Sequence, residues 1–284
     1  MSAAADPLGA AADRLVDTIA EYESCVVAFS AGVDSAVVSM AAHRALGDRA
    51  VAVTGVGPAL PEGELEAARE LAALIGIRHV ETPTDEIERS DYVRNATDRC
   101  YHCKTELYGH LQRIARELSV RVIVNGTNTD DLGDHRPGLV AASEHAVRSP
   151  LVDCEVNKDG VRRLAAHWGL PVWDKPAAPC LASRVAYGVE VTPERLRRID
   201  RAEQWLRGLG MRECRVRHHA DNLARVEAPL DWVARLATDP LRGELVAKLT
   251  KLGFRAVTID LAGFRSGSLN TLVPLERLEA GAKR

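Results

Sequence analysis

An α/β fold, a doubly wound parallel sheet followed by a smaller α+β domain, is predicted for this 284-residue chain by three observations. Short apolar runs rich in valine, alanine and isoleucine recur at 26–29, 50–56 and, interrupted only by Arg121, at 120–125, with a shorter stretch at 79–82, which suits strands of a buried parallel sheet. Helical patterns over 36–46, 62–75 and 100–118 alternate with them. That alternation demands right-handed crossovers, a parallel sheet and a ligand at the carboxyl ends of its strands. Three prolines within 170–179 then mark a boundary. Residues 1–176 read as the sheet domain and 177–284 as the smaller one.

Taken in order, 11–22 carries Leu15, Val16 and Ile19 at the spacing of a helix leaning one face on the domain. The strand at 26–29 breaks at once into Ser30-Ala-Gly-Val-Asp-Ser35, and the helix over 36–46 follows, with Asp34 or Ser35 as cap. Strand 50–56, a helix behind Pro61, strand 79–82 and helix 100–118 lead to strand 120–125 and the polar turn 126–134. A helix over 157–168 closes the first domain. Beyond the prolines the pattern predicts a helix at 193–209, strands near 214–217 and 223–227, helices at 230–237 and 241–252, and a strand at 256–261.

With 46% hydrophobic and 27% charged residues the chain can bury a substantial core, and a net charge of −3 gives no global reason to expect nucleic acid or an anionic membrane as partner. A local surplus exists: 184–217 holds nine arginines, no lysine and five acids, which suits gripping phosphates or carboxylates. The start of the chain is alanine-rich but interrupted by Asp6, Asp13, Asp17 and Glu21, unlike a signal peptide, and no stretch is long enough to span a membrane. The expected location is the cytoplasm. There, six cysteines read as buried thiols, metal ligands or reactive groups rather than disulfides.

The chemistry-bearing residues fall in six places. A strand, a tight turn and a helix start make an anion site, because the unbonded N–H groups and the helix dipole converge there. No Gly-Lys-Ser/Thr closes the turn, so the Walker pattern does not fit. What fits is Ser30-x-Gly32-x-Asp34-Ser35, which resembles the PP-loop ATP pyrophosphatases with their Ser-Gly-Gly-x-Asp-Ser. Ala31 stands at the second position, where a positive φ would suit glycine better. The turn 126–134 is placed to close over a nucleotide and to hold Mg²⁺ through Asp130 or Asp131. Cys180 follows the prolines with Arg184 four residues on, a cationic setting that favours a nucleophilic thiolate. Cys100-Tyr-His-Cys103 has the spacing that lets two thiolates reach one metal or cluster, or is a pair of unmetallated thiols. Arg215 and Arg217 alternate on a strand, so they face one side and could take a phosphate. Glu203 is either a metal ligand or base, or a glutamate on the surface of its helix. Cys25, Cys154 and Cys214 sit in or near apolar runs and are assigned to packing.

Together 30–35, 99–104, 126–138, 179–184 and 215–218 resemble the LarE family, ATP-dependent sacrificial sulfur transferases that help make the nickel-pincer nucleotide cofactor of lactate racemase. The resemblance implies that ATP adenylates a carboxylate of pyridinium-3,5-biscarboxylic acid mononucleotide with release of pyrophosphate. The nucleotide site would then comprise Ala28, Ser30, Gly32, Val33, Asp34, Ser35, Thr54, Gly126, Thr127 and Asp131, with Mg²⁺ on Asp34 or Asp131. Arg215 and Arg217 would hold the substrate phosphate. Cys180, Asp34, Arg184 and Glu203 are the catalytic candidates. The sulfur would come from Cys180 itself, leaving dehydroalanine, or through a [4Fe-4S] cluster on Cys100, Cys103 and Cys180. The resemblance also implies a homo-oligomer, a hexamer among the options. Two other readings share the loop: a tRNA-thiolating or amide-forming ligase, against which the slight acidity argues, and an ATP-binding sensor that has no need of Cys180.

Overall fold

The computed structural model describes residues 7–133, 137–176 and 178–265. These form two compact units, one made of 1–57, 63–85 and 100–178, the other of 58–62, 86–99 and 179–284.

The first unit opens with α1 (Pro7–Ala20) and β1 (Cys25–Ala28), followed by α2 (Val33–Leu46), β2 (Ala50–Val56), α3 (Glu64–Ile75) and β3 (Arg78–Pro83). The short α4 (Ser90–Val93) belongs to the second unit. The chain returns with α5 (Arg99–Glu117), β4 (Val122–Val124), α6 (Pro137–Glu144), α7 (Pro150–Asp153) and α8 (Lys158–His167). The strands pair in parallel in the order β3-β2-β1-β4. Side-chain alternation sorts the sheet into two faces. Cys25, Val27, Ala50 and Ala52 join α1, α2, α3 and α8 in one core, while Val26, Val51 and Val53 join Tyr108, Leu111 and Ile114 of α5 and Ala141 of α6 in another. Strands buried on both faces carry no charge, which is why their sequence is a continuous apolar run. The order reverses direction at β1, so the loops leaving β1 and β4 flank the crevice where such sheets take their ligands.

In the second unit, α9 (Pro193–Gly208), β5 (Arg215–His218), β6 (Leu223–Glu227), α10 (Leu230–Leu236), α11 (Leu241–Lys251) and β7 (Ala256–Ile259) follow in order. β5 pairs antiparallel with β6, which pairs in parallel with β7. Ala202 and Leu206 of α9, Val216, Val226, Leu245, Leu249 and Phe254 make its core. Earlier segments complete this unit: Asn95, fully buried, donates to the carbonyls of Val185 (3.3 Å), Ala186 (2.9 Å) and Val189 (2.9 Å).

The elements expected from the sequence are present, α4, α6 and α7 are additions to them, and one boundary has consequence. α2 begins at Val33, three residues before the predicted start, with Gly32 as its extended N-cap and no side-chain cap. Asp34 and Ser35 therefore lie inside the first turn rather than capping it. Among the described residues no helix is long and apolar enough to cross a membrane.

Candidate active site

The phosphate-type loop is built by its two serines. Ser35 Oγ donates to the Gly32 carbonyl (3.1 Å), accepts the Ser30 N–H (3.2 Å) and lies 3.2 Å from Ser30 Oγ. These bonds coil six residues over the start of α2 and leave Ser30 exposed. Ala31 sits at φ +54°, in the left-handed region, with its methyl buried. The loop thus keeps the conformation that glycine would take without strain, at a cost of about 1 kcal/mol for alanine. Val33 points its side chain into the core, so it and Gly32 can offer a ligand only main-chain groups. Thr54, buried at the end of β2, donates to the Phe29 carbonyl (2.9 Å) and lies 2.8 Å from His79 Nε2, which fixes β2 against the end of β1.

The loop after β4 packs directly on this turn. A Cβ on Gly126 would lie 2.8 Å from Ser35 N and 2.9 Å from Asp34 C, so only glycine permits the approach. Thr127 N–H donates to Asn125 Oδ1 (3.0 Å). Asn128, which sequence reasoning missed, donates through Nδ2 to Asp34 Oδ1 (3.0 Å), and its N–H bonds Asp131 Oδ2 (3.1 Å). Asp130 accepts the Lys158 N–H (3.1 Å). Asp130 and Asp131 therefore shape the loop, while Asp34 stands at its centre with Asn128 on one oxygen and Lys158 Nζ on the other (2.5 Å). Asp134, His135 and Arg136 of the resembling stretch lie outside the described residues.

None of the six cysteines forms a disulfide, and they divide by accessibility. Cys25, Cys154 and Cys214 are buried, and burial pushes the Cys25 and Cys214 thiols up to about 12. Cys100 is exposed and Cys103 half-buried, one turn apart at the start of α5. Cys180 is exposed in the second unit.

The Cys180 loop owes its shape to Arg184 and Glu203, and here the structure corrects the sequence expectation. Both are fully buried, and their side chains meet in a bidentate pair of 3.0 and 3.1 Å. Nη1 of Arg184 donates to the carbonyls of Pro179 and Cys180, the latter at 3.0 Å. Glu203 also accepts from Arg207 (2.9 Å) and from the Val216 N–H (3.1 Å). Every donor of the guanidinium named here is turned to the scaffold, and the carboxylate neutralises it. Arg184 and Glu203 are thus built into the scaffold beneath the Cys180 loop, and Glu203 is no surface glutamate.

Arg215 and Arg217 share one face of β5, but both are buried. Arg217 donates to Glu227 Oε2 (2.7 Å) and to the Ser183 carbonyl (3.1 Å). Arg215 donates to the Cys214 carbonyl (2.7 Å) and lies over the Phe264 ring; burial, then repulsion from Arg184, pushes it down to about 10. The next residue, His218, is buried beside Arg198, and desolvation followed by the Arg198 and Arg195 charges pushes it down to about 4. Its folded form is neutral. At pH above 6.5 the ring is neutral in both states, whereas between 6.5 and 4 the unfolded chain binds a proton that the folded chain refuses. Stability should therefore fall through that window by up to about 3 kcal/mol, and urea midpoints at pH 7 and 5 should converge in His218→Gln.

A group not singled out from the sequence is Asp85, Glu106 and His110, whose potential ligand atoms lie within 4.8 Å of one another. Glu106 and His110 stand one turn apart on α5, a readable spacing, but Asp85 reaches them only through the fold. Arg113 Nη2 lies 2.7 Å from His110 Nδ1 and Glu106 2.6 Å from Nε2, so the imidazole is already held on both nitrogens.

A scan against models of known protein families gives no match. The chain is 44% identical over 261 residues to an uncharacterized protein of Synechocystis, covering 92% of this chain and 97% of that one. It is 27% identical over 198 residues to one component of the glutamine-hydrolyzing GMP synthase of Archaeoglobus fulgidus, covering 63% and 62%. It is also 36% identical over 258 residues, 90% of this chain and 92% of the other, to the pyridinium-3,5-bisthiocarboxylic acid mononucleotide synthase of Lactiplantibacillus plantarum. Identity on that scale, in a chain that pairs a parallel-sheet nucleotide loop with an exposed cysteine after the prolines, leaves one conclusion: this chain belongs to the LarE family.

Proposed function

We propose that this protein uses ATP to activate a carboxylate of pyridinium-3,5-biscarboxylic acid mononucleotide and then places sulfur on it as a thiocarboxylate. The reading is supported by the name of the relative from Lactiplantibacillus plantarum and by the geometry around Asp34. A carboxylate oxygen attacks the α-phosphorus, pyrophosphate leaves into the Ser30–Ser35 turn, and an acyl adenylate forms. The N–H groups of that turn and of the first turn of α2 stabilise the leaving charge. Mg²⁺ fits Asp34, a half-buried carboxylate at a helix start, and would neutralise phosphate oxygens there. The Cys180 thiolate then attacks the acyl carbon and expels AMP. In the sacrificial route a base removes the Cys180 Cα proton, the Cβ–Sγ bond breaks, and the sulfur departs with the acyl group, leaving dehydroalanine.

The observation that carries the reading is the division of the cysteines: three are sealed in cores, whereas Cys180 is presented outward on a loop that a buried ion pair exists to shape. The same division leaves Cys100, Cys103 and Cys180 as the thiols that could serve a [4Fe-4S] cluster, which would supply an open iron for sulfide and spare the cysteine. The arginine face of β5 is our candidate for the substrate phosphate, and the protein is proposed to work as a homo-oligomer. Purified chain should release pyrophosphate from ATP only with the pyridinium dicarboxylate present, and Cys180→Ala should release pyrophosphate but form no thiocarboxylate. Anaerobic iron and sulfide analysis, beside mass spectrometry of Cys180 after turnover, separates the cluster from the sacrificial route. Thiocarboxylate formation by Cys180→Ala would overturn the assignment.

A further inference from the structure

Two lysines reach the nucleotide loop from distant parts of the chain. Lys158, the first residue of α8, is fixed there because Asn157 caps the helix through Gly160 N–H (2.9 Å) and because its own N–H bonds Asp130. Its ammonium lies 2.5 Å from Asp34 Oδ2. Lys175 Nζ bonds the Ala31 carbonyl (3.4 Å) and Glu64 Oε2 (2.7 Å). A cation thus sits beside each end of the turn, each beside one carboxylate, and all four side chains keep some exposure.

The charges explain why both partners of each pair are needed. A triphosphate brings several negative charges, and helix-end N–H groups answer with about half a positive charge. An unpaired Asp34 in the first turn of α2 would repel it. With Lys158 in place that repulsion is cancelled. Mg²⁺ approaching Asp34 Oδ2 competes with the ammonium that already bonds that oxygen, and a displaced ammonium finds a new partner when a phosphate arrives with the metal.

We propose that Lys158 and Lys175 are the cationic ligands of the pyrophosphate moiety held by this loop, and that Lys158 also guards Asp34, so that the divalent cation binds with the nucleotide and not before it. This rests on the ATP reading above.

The test titrates the full-length protein with Mn²⁺ alone, followed by electron paramagnetic resonance, and with MgATP and Mg-pyrophosphate, followed by calorimetry. In Lys158→Met, MgATP and pyrophosphate should bind about tenfold to a hundredfold more weakly, since a charge-assisted bond is lost. Mn²⁺ alone should bind roughly tenfold more tightly, since its competitor is gone. Lys175→Met should weaken the anions to a similar degree without strengthening Mn²⁺. Lys158→Arg should restore anion affinity, and unchanged circular dichroism should show that each variant is folded. A lysine that only supports the fold would weaken both ligands together or neither, and either result overturns the proposal. If the wild-type protein itself bound neither MgATP nor pyrophosphate, the ATP reading would fall and the lysine assignment with it. Wild-type binding matched by both Met variants removes the lysine assignment alone.

Discussion

Glu203→Ala should lower the stability of the protein by about 3–5 kcal/mol and its unfolding midpoint by roughly 10 °C or more. The carboxylate accepts from Arg184, Arg207 and the Val216 N–H inside a core that excludes water. Removing it strands a buried guanidinium with no counter-charge, which is the costly way to break such a pair. The double variant Arg184→Met/Glu203→Leu removes both charges and should lose less than the single one, because nothing charged remains unpaired. Its function should still suffer, since Arg184 also holds the carbonyls of Pro179 and Cys180. Thermal melts of the three proteins, with the alkylation rate of Cys180 alongside, check both halves. A single variant that melts within about 2 °C of wild type would show that the pair does not carry the loop.

Gly126→Ala should weaken MgATP binding by at least about tenfold and cost about 1–3 kcal/mol in stability. The added methyl would meet main-chain atoms of Asp34 and Ser35 at 2.8 and 2.9 Å, and neither can swing aside as a flexible side chain would. Either β4's loop or the start of α2 must move, and the N–H groups that converge on the anion site move with it. Calorimetric titration with MgATP and a urea midpoint measure the two effects. Wild-type affinity in this variant would mean that the nucleotide does not depend on the contact between the two loops.

Much of this was legible in the sequence where the determinants are local. The β1–loop–α2 unit is contiguous, and strands buried on both faces announce themselves by lacking charge. The sorting of cysteines followed from their flanks. Asn128, Lys158 and Lys175 were not legible because their partners are remote: Lys158 meets Asp34 across 124 positions. The burial of Glu203 was missed despite a signal. It follows Leu196 and Ile199 and precedes Leu206 at helical spacing, on the face of α9 that is buried. A charged residue on an apolar stripe announces a buried partner, and the partner lay in a different element. The positive φ of Ala31 was equally hidden, since alanine gives no hint of the conformation it is made to hold.

Asn95 has a consequence at the level of the gene. Its amide supports three carbonyls some 90 positions downstream, and Arg99 adds a bond to the Ala182 carbonyl (2.7 Å). The unit that presents Cys180 is therefore spliced from three separate stretches of coding sequence. Recombination cannot lift it out as one cassette, and no single cut yields it whole. The stretches that build the unit carrying Cys180 are threaded through those that build the unit carrying the Ser30–Ser35 turn.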